Sequence, residues 1–124
     1  MAGELILIVE DNEKNRKLER DVLQAKGYRT IEAETGEDGV RLAKEHRPAL
    51  VLMDIQLPGI NGITALGQLR ADAATRVIPV IAVTASVMTH DRQKIMAAGF
   101  DGYQSKPIRV KEFLAAVRAM LDRK

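Results

Sequence analysis

The stretch "ALVLMDIQLPGING" (49–62) sets an ionisable group directly behind an apolar run. Leu50, Val51, Leu52 and Met53 read as a strand buried on both faces, since a parallel strand covered by helices on both sides needs a near-continuous apolar run. Asp54 follows where such a strand leaves the core, and Pro58, Gly59 and Gly62 fall in the turn and helix entry beyond it. A carboxylate so placed is either a turn former bonding its own backbone or part of a site.

Outward from this strand the chain alternates strand with helix. "LILIVE" (5–10) and "IPVIAVTA" (78–85) are further apolar strands, with Pro79 confined to the beginning of the second. "YRTIEA" (28–33) is shorter, and "DGYQSK" (101–106) is the weakest of the five. The helix "NEKNRKLERDVLQAKG" (12–27) is closed by Gly27 and carries Leu18, Val22 and Ala25 on one face. "TGEDGVRLAKEH" (35–46) has Thr35 as its N-cap. "GITALGQLRAD" (62–72) and "MTHDRQKIMAAG" (88–99), the latter capped by Gly99, follow in turn. Val110, Phe113, Leu114, Val117, Met120 and Leu121 mark a last amphipathic helix.

Strict alternation predicts an α/β fold, a parallel sheet with helices on both sides. A (β/α)₈ barrel uses about twice this length. What remains is an open, doubly wound sheet of the flavodoxin-like kind, five strands in the order 2-1-3-4-5 with five helices, forming one domain over 1–124.

Composition narrows the function classes. With 124 residues, 46% apolar and 29% charged, the chain can bury a sizeable core and lies outside the range of disordered segments. No apolar run approaches the roughly 20 residues that span a bilayer. "MAGELILIVED" meets an acidic pair too soon for a secretory leader, so a cytoplasmic protein without a membrane partner is expected. Cys is absent, which excludes disulfides and thiolate metal sites. The basic residues are dispersed except for Arg109, Lys111, Arg118, Arg123 and Lys124, a solvated helix face. Two Phe, two Tyr and no Trp leave few platforms for stacking bases, and no nucleic-acid partner is expected. His46 and His90 fall at helix ends and read as exposed.

In an open α/β sheet, ligands bind outside the carboxyl ends of the strands. The first strand ends in Glu10 and Asp11, the third in Asp54, the fourth in Thr84 and the fifth in Lys106. Singly, each has an ordinary explanation as cap, turn former, strand former or loop residue. Jointly they converge on one crevice. Three carboxylates held together repel, and without a cation at least one pKa must rise. Three negative charges balance one Mg²⁺ and one lysine ammonium, and Mg²⁺ takes oxygen ligands from carboxylates, water and phosphate. A hard-cation, phosphate-handling site follows. Beside such an ion, an ionised Asp can act as nucleophile toward phosphorus, while Lys106, the Thr84 hydroxyl and backbone N–H groups near Gln56 and Ala85 neutralise the transferred oxygens.

"LIVEDN", "LVLMDIQLPGINGI", "IPVIAVTA" and "AGFDGYQSKPI" resemble the receiver domain of two-component response regulators, with all the signature blocks in order along essentially the whole chain. The resemblance implies that Asp54 is the phosphoacceptor, supplied by a histidine kinase or a histidine phosphotransfer protein. It implies Mg²⁺ bound by Asp11 and Asp54 with the backbone carbonyl of Gln56, and Glu10 acting through water. Lys106 would pair with the phosphoryl group, and Pro107 would follow a cis peptide bond. Thr84 and Tyr103 occupy the positions of the family's switch pair, read by a downstream protein target at the face of the fourth helix, fifth strand and fifth helix. The alternative for Tyr103 is an edge aromatic that does not switch. "VEDNEKNRK" and "MDIQLPGINGI" look most similar to single-domain DivK-like cell-division regulators and to receivers attached to hybrid kinases. No output domain is expected after the last helix. Gln104 departs from the family's usual apolar residue in the fifth strand, which bears on the burial of that edge.

Two rival readings remain. A small Mg²⁺-dependent phosphohydrolase of the haloacid-dehalogenase kind would carry a second Asp two residues after the nucleophile, where this chain has Gln56. A pure binding module would not need the full set of Glu10, Asp11, Asp54, Thr84 and Lys106.

Overall fold

The computed structural model describes residues 3–85 and 89–122, with backbone alone at 89–91. The Met88 start of the predicted fourth helix, the His90 side chain, Arg123 and Lys124 lie outside the described residues. In chain order the elements are β1 (Leu5–Val9), α1 (Glu13–Ala25), β2 (Arg29–Ala33), α2 (Gly36–His46), β3 (Leu50–Asp54), α3 (Gly62–Ala71), β4 (Val80–Thr84), α4 (Thr89–Ala97), β5 (Gly102–Ser105) and α5 (Val110–Asp122). The strands form one parallel sheet in the order β2-β1-β3-β4-β5. β3 is therefore central, paired with β1 from Ile6↔Leu50 to Val9↔Met53 and with β4 from Val51↔Val80 to Asp54↔Val83.

Alternate residues of the central strands divide between two apolar layers, because successive strand side chains point to opposite faces. Ile6, Ile8, Leu50, Leu52, Ile81 and Val83 pack with Leu23 of α1 and with Phe113 and Val117 of α5. Leu7, Val9, Val51, Met53, Val80 and Ala82 pack with Val40 and Ala43 of α2, Leu66 and Leu69 of α3, and Ile95 of α4. Each large side chain so buried contributes about 1.5–3 kcal/mol of transfer free energy. This two-sided burial is why β3 and β4 read as unbroken apolar runs.

The helix starts are locally encoded. Asn12, Thr35 and Asn61 each accept a hydrogen bond from the backbone N–H three residues on (Asn15, Asp38 and Thr64), and so satisfy one of the orphan donors of a first turn. Gly27 and Gly99, at φ 90° and 110°, take the left-handed conformation that stops α1 and α4. The strand carrying Pro79 begins after it, at Val80, and the Pro79 carbonyl accepts from Val51 N.

Two apolar stripes turn out differently from the sequence pattern. On α1 the buried residues are Glu19 and Leu23, while Leu18 is 40% exposed and Ala25 is exposed. Leu23 is drawn into the layer of Ile8, Leu52 and Phe113, and that contact sets the rotation of the helix. Val22 and Ala25 instead line a shallow apolar groove with Val110 and Leu114 of α5. Val110 is likewise 46% exposed, at the first position of its helix. β5 is half-buried, with Gln104 opposite Val83, consistent with a polar residue on an edge strand. His46 is exposed at the end of α2.

Candidate functional site

The carboxyl ends of β1, β3 and β4 and the residue after β5 bring Glu10, Asp11, Asp54, Thr84 and Lys106 to one edge of the sheet. Glu10 continues β1 far enough for its N–H to bond the Ala33 carbonyl at 3.0 Å, and its side chain is buried. Its Oε2 accepts from Asn12 N at 3.0 Å, and its Oε1 is in ion-pair contact with Lys106 Nζ. Asp11, one residue on, is exposed. Asp54 is buried at the last position of β3; its Oδ1 accepts from Gln56 N at 3.1 Å and its Oδ2 from Lys106 Nζ at 2.9 Å. The Gln56 side chain is exposed.

Lys106 is held from both ends. Its N–H bonds the Thr84 carbonyl at 2.9 Å, and its ammonium lies between Glu10 and Asp54. The Lys106–Pro107 peptide is cis. Thr84 is buried at the last position of β4, next to Ser105 of β5. Tyr103, on β5 beside Ala82, is half-buried against the layer under α2, α3 and α4, with the Arg92 guanidinium 5.3 Å from its ring centre.

The loop after Asp54 is cut to fit. Gly62 opens α3 so close behind β3 that a Cβ there would lie 2.3 Å from the Asp54 carbonyl oxygen. Gly59 sits at φ 74°, where a side chain would strain the backbone and would also meet the Glu37 carboxylate. These glycines let the loop stand away from the crevice while α3 backs Asp54.

Charge is unbalanced here. Burial pushes the Glu10 carboxyl up to about 7, with the neighbouring Asp54 adding to the rise against the hydrogen bonds from Lys106 and Asn12. Burial opposes the Lys106 charge, but its bonds to Asp54 and Glu10 outweigh it and hold the ammonium above the usual lysine range. One carboxylate oxygen from each of Glu10, Asp11 and Asp54 lies within 4.8 Å of the others. Hard oxygen donors converging at that spacing fit a divalent cation with a preference for carboxylates, and the excess negative charge favours one.

Two residues of this region escape a reading by strand ends. Arg16 of α1 donates to the Glu10 carbonyl at 3.0 Å and to Glu32 Oε1 at 3.2 Å, tying its helix to the ends of β1 and β2. Glu19, one turn further, is buried to 2% exposure, and burial pushes its carboxyl up to about 8, with Glu10 adding to the rise. Both look like ordinary helix-surface charges in the sequence, and only their spacing to buried Leu23 marks that face of α1 as inward.

Residues 6–118 match the response regulator receiver domain family. The chain is 47% identical over 116 residues to the polar-differentiation response regulator DivK of Brucella anthropi, covering 94% of each, and equally so to that of Brucella ovis. Among solved structures it resembles the receiver domain of sensor histidine kinase PA1611 from Pseudomonas aeruginosa, with a TM-score of 0.91, 33% identity, and 98% and 99% of the two chains covered. That neighbour has a magnesium ion coordinated in its active-site cleft. A putative response regulator from Chloroflexus aurantiacus superposes with a TM-score of 0.93 at 27% identity over 98% of this chain and 99% of its own. With family, fold and strand-end residues in agreement, the chain belongs to the response regulator receiver domains of two-component signalling.

Proposed function

We propose that the whole chain, 1–124, works as a single receiver domain in which Asp54 accepts a phosphoryl group from a phosphohistidine of a sensor kinase or histidine phosphotransfer protein. The observation that carries this is the pairing of the Lys106 ammonium with both Glu10 and Asp54 at the centre of the three-carboxylate cluster. A carboxylate oxygen of Asp54 attacks phosphorus in line, the P–N bond to the donor imidazole breaks, and an acyl phosphate results. Lys106 pairs with one transferred oxygen and the Thr84 hydroxyl bonds another. A Mg²⁺ held by Glu10, Asp11 and Asp54, with the Gln56 backbone carbonyl, supplies the charge that neutralises the phosphoryl oxygens when bound.

Phosphorylation takes Asp54 from one negative charge to about two. Thr84 turns toward the new acceptor oxygens, and Tyr103 moves into the space released, leaving Arg92. That repacks the surface of α4, β5 and α5 for a downstream protein partner. A comparison of Tyr103 ring dynamics with and without a phosphoryl mimic tests this step; identical dynamics remove Tyr103 from the switch. The chain acts as a phosphoacceptor in the cytoplasm, with at most slow self-dephosphorylation. Gln56, in place of the second acid of a phosphohydrolase, speaks against turnover of phosphate esters. The likeness to a sensor kinase's receiver also supports a role next to a kinase module.

Intact-mass measurement after acetyl phosphate and Mg²⁺ tests the phosphoacceptor. Wild type takes one phosphoryl adduct, and Asp54→Asn takes none. An unmodified wild type overturns the proposal.

A further inference from the structure

Arg16 reaches the edge of the crevice from α1, a helix that phosphoryl transfer, as described above, does not use. Its side chain is only 14% exposed. The guanidinium spans two acceptors, with Nη1 on the Glu10 carbonyl at 3.0 Å and Nε on Glu32 Oε1 at 3.2 Å. The backbone N–H of the same residue bonds the Asn12 carbonyl at 2.9 Å. One residue thus closes both ends of the turn over 10–12. The rest of that turn is fastened as well, since Glu10 N bonds the Ala33 carbonyl and Asn12 N bonds Glu10 Oε2. Asp11 stands in the middle and is exposed, so its carboxylate is aimed by the backbone on either side.

The other two acids of the cluster are held by partners of their own. Glu10 and Asp54 each contact the Lys106 ammonium, and Asp54 also accepts from Gln56 N. One Asp11 oxygen lies within 4.8 Å of an oxygen of each, although like charge drives an exposed carboxylate away from them. A turn pinned at both carbonyls resists that swing. We propose that Arg16 is a positioning residue for the cation: its guanidinium on the Glu10 carbonyl fixes the turn over 10–12, keeps Asp11 converged with Glu10 and Asp54, and so tightens Mg²⁺ binding. The guanidinium fork serves the carbonyl and the Glu32 carboxylate at once, which an ammonium on a flexible stem does not match. The sign of the effect is diagnostic. Charge alone makes Arg16 repel Mg²⁺, so by that term its removal tightens binding. Positioning predicts the reverse.

This role rests on the reading of Glu10, Asp11 and Asp54 as the Mg²⁺ site of the phosphoacceptor. The test is calorimetric Mg²⁺ titration, without any phosphodonor, of wild type, Arg16→Met, Arg16→Lys and Arg20→Met. Adduct formation from acetyl phosphate is then followed across Mg²⁺ concentration. Arg16→Met weakens Mg²⁺ binding about tenfold, as loss of a group that orients metal ligands typically does. Its adduct formation needs about tenfold more Mg²⁺ for half-maximal rate, and at saturating Mg²⁺ runs within about twofold of wild type. Arg16→Lys, which keeps the charge but not the fork, weakens binding about threefold. Arg20 also bonds Glu32 but, among the described residues, not the Glu10 carbonyl. Arg20→Met therefore leaves the affinity within about twofold of wild type. Wild-type or tighter Mg²⁺ binding in Arg16→Met or Arg16→Lys, or an equal weakening in Arg20→Met, overturns the role of Arg16. So does a rate in Arg16→Met that stays low at saturating Mg²⁺. A wild type that binds no Mg²⁺ overturns the metal site itself, and one that binds Mg²⁺ but takes no adduct overturns the phosphoacceptor reading.

Discussion

The two ends of the same sheet treat charge in opposite ways. At the amino ends of the strands, each buried or half-buried cation has its own carboxylate. Arg70 from α3 bonds Asp101 at 2.8 Å and the Ile78 and Arg76 carbonyls at 2.7 and 2.9 Å, while Asp101 also accepts from Val80 N. Arg118 from α5 bonds Glu4 at 3.0 Å and the Tyr28 hydroxyl at 3.2 Å. At the carboxyl ends, among the described residues, Glu10, Asp11 and Asp54 cluster about the one ammonium of Lys106, which pairs with Glu10 and Asp54. Balanced pairs fasten loops to the sheet. The imbalance costs stability and is what a phosphoryl group and a cation can use.

Substitution at each end separates these roles. The largest effect is expected at Gly62, where a Val side chain would start 2.3 Å from the Asp54 carbonyl oxygen and 2.9 Å from Ile55 Cα, both backbone atoms. Gly62→Val loses about 4 kcal/mol in urea unfolding and misplaces Asp54, so adduct formation falls as well.

Next comes pH. Glu19 and Glu10 hold protons in the folded state up to about 8 and about 7, against an ordinary value of 4.5. Between those limits the folded chain binds more protons than the unfolded one, so stability falls as pH rises. Without Mg²⁺ the loss from pH 5 to pH 8.5 is on the order of 6 kcal/mol, and Glu19→Gln removes the larger part of it. A flat profile in wild type would mean that the crevice is not overcharged.

Arg70→Ala, at the balanced end, removes an ion pair and three carbonyl bonds and costs about 2 kcal/mol, with adduct formation unchanged. Arg118→Ala shifts the unfolding midpoint least, because its partner Asp122 is exposed and its pair with Glu4 is only part-buried. A slowed phosphorylation in either variant would show that the two ends are not independent.

Much of this was legible in the chain. Apolar runs at 50–53 and 80–83 need burial on both faces, which demands a parallel sheet with helices on each side. Once the sheet is parallel, all its carboxyl ends lie on one edge, and Glu10, Asp11, Asp54, Thr84 and Lys106 must meet there. Strand polarity alone carries that inference. The rotation of α1 is another matter. Leu18, Val22 and Ala25 form as good a helical stripe as Glu19 and Leu23, since neighbouring positions on a helix differ only in the direction they face. Leu23 packing in one layer with Phe113 of α5, together with Arg16 reaching the Glu10 carbonyl, decides between them. These contacts join residues far apart in the chain, and helical period carries no information about them. So the sequence by itself determined the sheet and the acids at its edge, whereas only the tertiary structure turned Glu19 under the site, because packing against a distant helix sets which face of α1 is inside.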